Sequence, residues 1–239
     1  MILKDKEKTV VLFTKNGLTK QVLLSDFEVT RYSKPMMAIK LKENDELINV
    51  SIYKEDTLFI THNGLYLRFK TAEIPTVGAK ASGVKGINLK EDYVIYAGTI
   101  KEEDEYLNVF TNFKTGKRLK LNDLVLITRA KKGNMLFKKA KTKDYKIDFA
   151  YLSNSKDINL CKVDSDTIKE IKNSEIPIMD MASTGSAIIK ESVNLWALKA
   201  QEIDLLNRNK EQKEENKIIE EKKESEQLSF ASFVEDFKI

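Results

Sequence analysis

A strand–turn–strand unit recurs four times along these 239 residues, at intervals of about 45 to 50, the range in which repeats build propellers and related arrays. The clearest copy is residues 57–89, TLFITHNGLYLRFKTAEIPTVGAKASGVKGINL. An apolar run at 58–60 meets Asn63-Gly64. Gly accepts a positive φ there and Asn tolerates one, so a two-residue hairpin is expected. The return strand alternates, with Leu65, Leu67 and Phe69 on one side and Tyr66, Arg68 and Lys70 on the other. Pro75 stops it. Gly78, Gly83 and Gly86 then punctuate a loop that carries Lys80 and Lys85, and a further strand is expected from Ile87 toward 93–96.

The other copies are read the same way. In the first, 10–13, Asn16-Gly17 and 18–24 give strand, turn and strand, and two more strands are expected at 37–41 and 47–52, beyond Lys34-Pro35. In the third, 106–110, a turn at Thr115-Gly116 and 118–121 repeat the opening, Lys132-Gly133 falls in the loop, and 135–137 begins the next strand. A more worn fourth copy has 160–163, a turn near 164–166, Ile176-Pro177, and Thr184-Gly185 ahead of 187–189. One such unit cannot bury its own apolar face, so its neighbours must cover it. The expected class is all-β, a propeller-like array with repeats at about 9–56, 57–104, 105–157 and 158–203 after a polar lead-in at 1–8.

No apolar run reaches the ~18 residues of a membrane span, and the N-terminal residues lack the apolar stretch of a signal peptide. The single cysteine, Cys161, excludes an internal disulfide and argues against a cysteine zinc site. Together these point to the cytoplasm. The net charge of +4 is unevenly spread. Residues 201–239 carry 7 Lys and Arg against 11 Asp and Glu, so the body is the basic part. Residues 111–146 carry 12 basic side chains against Asp123 and Asp144 alone. A cluster of that density repels itself and calls for a polyanion.

The tail, 204–239, is charged and polar, and is expected to be partly helical or disordered. Near its end Phe230, Phe233, Val234 and Phe237 fall at helical spacing. That is the pattern of a peptide docking in a groove; the plainer reading is that it folds back or frays.

No catalytic set emerges. His62, the sole histidine, sits in a hairpin turn, where a structural or solvated role is expected. There is no Ser-His-Asp set at usable spacing, no phosphate loop and no metal-ligand cluster. Glycines 78, 83 and 86 lack the strand, Gly-x-Gly-x-x-Gly and helix order of a nucleotide loop, so they read as corners. What remains is a basic band. The return strands offer Lys20, Arg68, Lys70, Arg118 and Lys120; the later loops offer Arg31 and Lys34, then Lys80 and Lys85, then Arg129, Lys131 and Lys132. If repeats surround an axis, equivalent positions recur at one height, and a curved band of cations suits the phosphates of a bent duplex. The plainer reading is that lysine keeps strand edges soluble. Aromatic residues do not interleave with the basic ones as a single-strand stacking platform requires. A propeller-like scaffold that binds protein, and an enzyme with its site in the central opening, stay open as alternatives.

These residues resemble a known family. Gly64-Leu65-Tyr66-Leu67-Arg68-Phe69, Glu73-Ile74-Pro75 and 78–87 (GAKASGVKGI) look like the C-terminal domain of bacterial type IIA topoisomerase A subunits. The first repeat agrees in Phe13-Thr14-Lys15-Asn16-Gly17, Leu24-Ser25-Asp26-Phe27 and Arg31-Tyr32-Ser33-Lys34. The last of these, with the worn third and fourth repeats, is more similar to the topoisomerase IV branch of Gram-positive bacteria than to the gyrase branch.

The resemblance implies a β-pinwheel of about four blade repeats, whose blades exchange strands and whose basic outer rim binds and bends duplex DNA. The family carries five or six blades, so it also implies a fragment or an open arc. The gyrase Gln-Arg-Arg-Gly-Gly-Lys-Gly box is absent, which favours decatenation and relaxation over negative supercoiling. The catalytic tyrosine, the magnesium site and the ATPase of the family lie outside this region. Mg and ATP are therefore implied for the whole enzyme and no cofactor for this segment. Implied partners are duplex DNA, the topoisomerase IV B subunit through a region N-terminal to these repeats, and a second copy of the full A subunit. The segment alone is expected to be monomeric.

Overall fold

The computed structural model describes residues 8–28, 35–138, 143–163, 167–189, 191 and 195–198. The tail and its phenylalanine stripe lie outside them, as do Arg31, Lys34 and the fourth-repeat turn expected near 164–166. Among the described residues the only helical pieces are four short 3-10 turns.

The same residues form fifteen strands: β1 (Thr9–Thr14), β2 (Leu18–Leu23), β3 (Leu47–Ile52), β4 (Asp56–Thr61), β5 (Leu65–Lys70), β6 (Val84–Lys85), β7 (Val94–Thr99), β8 (Tyr106–Thr111), β9 (Thr115–Lys120), β10 (Asn134–Met135), β11 (Ile147–Ser153), β12 (Ile158–Lys162), β13 (Ile168–Lys172), β14 (Ser186–Ala187) and β15 (Leu195–Leu198). They form four antiparallel sheets, ordered β3-β1-β2-β6, β7-β4-β5-β10, β11-β8-β9-β14 and β15-β12-β13. Each sheet, or blade, keeps three strands of its own repeat. The fourth strand of blades 1 to 3 comes from the following repeat. Val84–Lys85 pairs with Thr19 and Leu18, Asn134–Met135 with Tyr66 and Leu65, and Ser186–Ala187 with Gly116 and Thr115. This exchange makes the array a β-pinwheel.

The hairpins follow from the sequence. The two Asn-Gly loops are three residues long, 15–17 and 62–64, rather than the two expected, because only the glycines take a positive φ, 77° at Gly17 and 83° at Gly64. Thr14 and Thr61 each accept a hydrogen bond from a backbone amide four residues on, Leu18 and Leu65. The third turn departs from expectation. It falls at 112–114, with Lys114 at φ 61°, and Gly116 lies inside β9. Gly116 is needed for space rather than for a turn, because a Cβ there would sit 2.7 Å from the Phe110 ring. Two expected strands also change. Residues 37–41 form none, and the strand expected from Ile87 begins only at Val94, as β7, while β6, just ahead of Ile87, is two residues long and given to blade 1.

Alternation does not separate a wet face from a dry one. Tyr66, expected to point outward, is buried. The reason is that blades 2 and 3 are each covered on both faces by a neighbouring blade. Phe13, Phe59, Leu67 and Phe69 fill the space between blades 1 and 2. Leu58, Ile60, Tyr66, Leu107 and Leu119 fill that between 2 and 3. Phe110, Cys161, Ile176 and Trp196 fill that between 3 and 4, where the Phe110 and Trp196 rings stack at 3.9 Å. Each such side chain contributes about 1.5–3 kcal/mol on leaving water. Blades 3 and 4 also share a buried polar knot. Asn108 donates to Asn159 and Asn173, Tyr151 donates to Asn159, and Asn173 donates to Ser153. Every polar group in the knot has a partner, as burial requires.

The strands β3, β7, β11 and β15 lie against one another in turn, and so form the inner side of the array. A recess of 940 Å³ opens there, lined by Val50, Ile52, Tyr96, Tyr151 and Leu152 among others. The donated strands lie on the outer side.

Candidate nucleic-acid interface

Each crossover runs from a 3-10 turn along the outer edge of the preceding blade and ends in the donated strand. Its start is held by one side chain, three residues before that preceding blade's own 3-10 turn. Gln21 donates to the carbonyls of Thr71 and Ile74 at 2.7 and 2.8 Å. Arg68 donates to Leu121 and Leu124 at 2.8 and 3.3 Å. Arg118 donates to Ile176 and Ser174 at 2.7 and 3.4 Å, with its guanidinium over the Tyr106 ring. The same residues pair through the backbone with Thr76, Leu126 and Ile178. Gln21, Arg68 and Arg118 are thus one device used three times: a donor that clasps the next repeat. The carbonyls of Ile74, Leu124 and Ile176, just past each 3-10 turn, need such a donor when buried, whereas those of Thr71 and Leu121 already accept from the Ile74 and Leu124 amides.

The residue just before the clasp does a related job. Lys20 is buried, and its ammonium donates to Gly78 and Ala79 carbonyls at 3.1 and 2.7 Å. Lys117 is buried as well and donates to Leu136, Asp180 and Ser183 carbonyls, all at 2.7 Å. In blade 2 the position is Leu67. Burial lowers the Lys117 pKa to about 8, with the Asp180 charge pulling the other way. The unfolded chain then binds the proton more tightly than the folded one between about pH 8 and 10.5. Stability therefore rises with pH across that window. In Lys117→Met this rise becomes shallower in urea melts at pH 7.5, 9 and 10, the buried Lys20 contributing what is left; an undiminished slope would place the proton elsewhere.

These placements correct three expected contacts. Lys20, Arg68 and Arg118 do not stand outward on the return strands; they are spent between blades, because the next repeat covers that edge. Arg68 also bonds Asp56 through Nε at 2.9 Å and through Nη2. Lys70 is half exposed but paired with Glu55 at 2.6 Å and Asp56 at 2.9 Å. Burial pushes the Asp56 carboxyl up, yet hydrogen bonds from Lys70 and Arg68 together hold it below the usual carboxylate range. Arg129 donates to the carbonyls of Glu73 and Lys85, which ties two successive crossovers together.

Lys80, Lys85, Lys120, Lys131 and Lys132 are exposed. Among the described residues no carboxylate lies against any of them. Lys80 and Lys85 lie on the crossover over blade 1; Lys131 and Lys132 lie on that over blade 2. The two crossovers touch, with the Asn88 amide donating to the Lys131 carbonyl at 2.9 Å. The crossover over blade 3, residues 177–189, has Asp180 and no Lys or Arg. The cationic band therefore occupies the outer edges of blades 1 and 2.

The band extends beyond the residues that the repeat pattern singles out. A recess of 660 Å³ between blades 2 and 3 is bordered by Lys90, Lys132, Lys143 and Lys146, with Glu91, Asp92 and Asp144 on the same rim and Tyr145 in its wall. Lys146 donates to Asn63 at 2.6 Å, and Lys143 lies over the Phe113 ring. The density of lysine in 111–146 was the available signal; its spatial partner, Lys90, gave none. His62 is structural here, stacked on Tyr93 at 4.8 Å with Nδ1 3.0 Å from the Ile147 carbonyl. Lys15 lies over Tyr93 as well.

The chain matches the family described as DNA gyrase C-terminal domain, beta-propeller, over residues 8–54, 55–101 and 105–147. It is 33% identical over 189 residues to the A subunit of DNA topoisomerase 4 from Bacillus subtilis, covering 78% of this chain and 23% of that protein. It is 39% identical over 144 residues to the same subunit from Staphylococcus epidermidis, covering 59% of this chain and 18% of that protein. The chain thus spans about a quarter or less of the length of these curated relatives. Among solved structures, the C-terminal domain of DNA topoisomerase IV superposes with a TM-score of 0.76 at 29% identity, covering 83% of this chain and 64% of that one. The DNA gyrase A C-terminal domain shares the fold, with a TM-score of 0.68 at 18% identity, covering 81% and 66%. With three repeats matched in register and the blade exchange in place, this chain belongs to the DNA gyrase C-terminal domain, beta-propeller family.

Proposed function

We propose that this chain is the DNA-binding accessory domain of a topoisomerase IV A subunit. In this reading it holds and bends a duplex on its basic edge, and the rest of the enzyme performs ATP-dependent strand passage. The B subunit, a second A subunit, Mg and ATP belong to those other parts. The observation that carries the reading is the cationic band on touching crossovers, Lys80, Lys85, Lys131 and Lys132. These lysines lie on a scaffold whose inward basic residues are already committed to carbonyls and carboxylates. Lysines held on backbone turns, with no carboxylate beside them, position phosphates rather than read bases. Arg31 and Lys34 join the candidates by repeat position. Lys120, exposed at the end of β9, is a candidate of its own.

The test is affinity for a random duplex of about 40 base pairs across a salt series. Reversing Lys80, Lys85, Lys131 and Lys132 together to Glu is expected to lower affinity more than tenfold for all sequences alike. It is also expected to flatten the slope of log K against log salt by about 3 to 4, near 0.9 for each phosphate no longer neutralised. Lys172→Glu, on blade 4, is expected to change little. A salt slope near zero in the unaltered chain would favour the protein-binding scaffold.

A further inference from the structure

The two crossovers that carry the lysine band are latched to each other. Arg129, on the crossover over blade 2, donates through Nε to the Glu73 carbonyl at 3.0 Å and through Nη1 to the Lys85 carbonyl. Its backbone amide donates to the Glu73 carboxylate at 2.9 Å. Ala130 takes a left-handed φ of 61°, uncommon for a residue with a side chain. Its amide reaches the Gly86 carbonyl at 2.7 Å, and the Asn88 amide meets the Lys131 carbonyl at 2.9 Å. Glu73 ends the 3-10 turn from which the crossover over blade 1 starts, and Lys85 lies in its donated strand. The latch therefore grips that crossover at both ends.

Its position follows the lysines. Eight residues after the start of the 3-10 turn, where this crossover has Arg129, the other two carry Ala79 and Met181. The crossovers over blades 2 and 3 meet through the buried Lys117 ammonium, which donates to Leu136 on one and to Asp180 and Ser183 on the other. Where the latch does occur, its acceptors are the backbone carbonyls of band residues: Lys85 accepts from Arg129, Lys131 accepts from Asn88, and Lys132 follows directly. Blades 1 and 2 already cohere through the core of Phe13, Phe59, Leu67 and Phe69. What the latch adds, at the surface, is a fixed placement of one lysine pair relative to the other.

We propose that Arg129 and Glu73 are positioning residues: they hold the two lysine loops at one separation, and this fixed spacing makes the edge prefer duplex that is already curved. The inference rests on the DNA-binding reading above. Cations held at a set spacing on the outer edges of two neighbouring blades meet the phosphates of a straight duplex only if it bends. Bending costs free energy, and a duplex closed into a small circle is bent before it binds. Loops free to move would follow a straight duplex as readily as a curved one. Arg129 acts through the loops, so its charge alone does not replace it. Its planar fork serves two carbonyls at once, which the single ammonium of a lysine is not shaped to do.

The test compares a relaxed, covalently closed minicircle of about 100 base pairs with the same sequence as a linear duplex. The full 239-residue chain is expected to bind the circle about tenfold more tightly. Arg129→Lys, which keeps the charge, is expected to bring the two affinities within about twofold, while the slope of log K against log salt on the linear duplex stays within about 0.5 of its original value. Glu73→Ala is expected to lose the preference as well; on charge alone, removing that carboxylate would tighten both forms equally. An Arg129→Lys chain that keeps the tenfold preference overturns the proposal. So does an Arg129→Ala chain that keeps it while its salt slope flattens by about 1, because the side chain is then a phosphate contact. Equal affinity for the two forms in the unaltered chain, with a steep salt slope, overturns this inference and leaves the DNA-binding reading standing. A salt slope near zero removes both. Should the variants misfold, amide exchange in the unaltered chain decides. The Ala130 and Asn88 amides are expected to exchange about a hundredfold more slowly than an open loop, and unprotected exchange at both overturns the latch.

Discussion

Replacing Arg68 by alanine is expected to lower unfolding free energy by about 3 kcal/mol, in the range for breaking a buried, hydrogen-bonded charge. The guanidinium joins three largely buried groups: the Asp56 carboxylate, the Leu124 carbonyl and the Leu121 carbonyl, which also accepts from the Leu124 amide. Lys70 stays beside Asp56 and limits the loss. The urea midpoint reads the effect directly. Arg68→Lys keeps the charge but not the fork that reaches two partners at once, so it recovers only part. Duplex affinity at a temperature where the variant stays folded should be unchanged. A large affinity loss with unchanged stability would move Arg68 out of the blade interface and back onto the DNA.

Gly133→Ala is expected to be at least as severe, about 3–4 kcal/mol. Gly133 takes φ 85°, where a side chain is strained, and an added Cβ would strike the Tyr66 carbonyl oxygen. That oxygen belongs to the backbone of β5 and cannot step aside, so β10 must leave the edge it completes. Gly78→Ala is the matched control. Gly78 sits on the equivalent kind of crossover with open space around it and an ordinary φ. It should melt within about 0.5 kcal/mol of the unaltered chain. If the two variants melted alike, close approach of the crossover would not be what the left-handed glycines secure.

The hairpins at Asn16-Gly17 and Asn63-Gly64 were legible because a local rule decides them: a glycine with positive φ closes each three-residue turn. The third turn was not, because Lys114 accepts the left-handed conformation without advertising it, while Gly116 advertises a turn and serves a ring contact instead. The basic residues divide along the same line. Lys80, Lys85, Lys131 and Lys132 sit in glycine-marked loops, and a loop cation is outward almost by construction. Lys20, Arg68 and Arg118 sit on strands whose period-two pattern labels them outward, and in an ordinary half-buried sheet they would be. They are inward because the next repeat's crossover lies over that edge. Nothing within 10 residues of Arg68 says that Leu121 and Leu124 will come to it. Strand exchange itself followed from family resemblance and not from periodicity, since two-residue strands such as β6 leave no periodic trace.

The borrowed strands also impose an order on biosynthesis. A ribosome delivers this chain from its N-terminus. Blade 1 has β1 and β2 by Leu23, yet its last strand is Val84–Lys85. Until that residue has left the exit tunnel, the first sheet presents a bare edge. The same debt passes to blade 2, closed by Asn134–Met135, and to blade 3, closed by Ser186–Ala187. At each moment of synthesis the most recent blade is the unfinished one, and its exposed edge is a template for pairing with another nascent chain. Folding thus advances as a moving front along the messenger, and a ribosome stalled in a crossover exposes one incomplete blade whose repair waits on translation resuming.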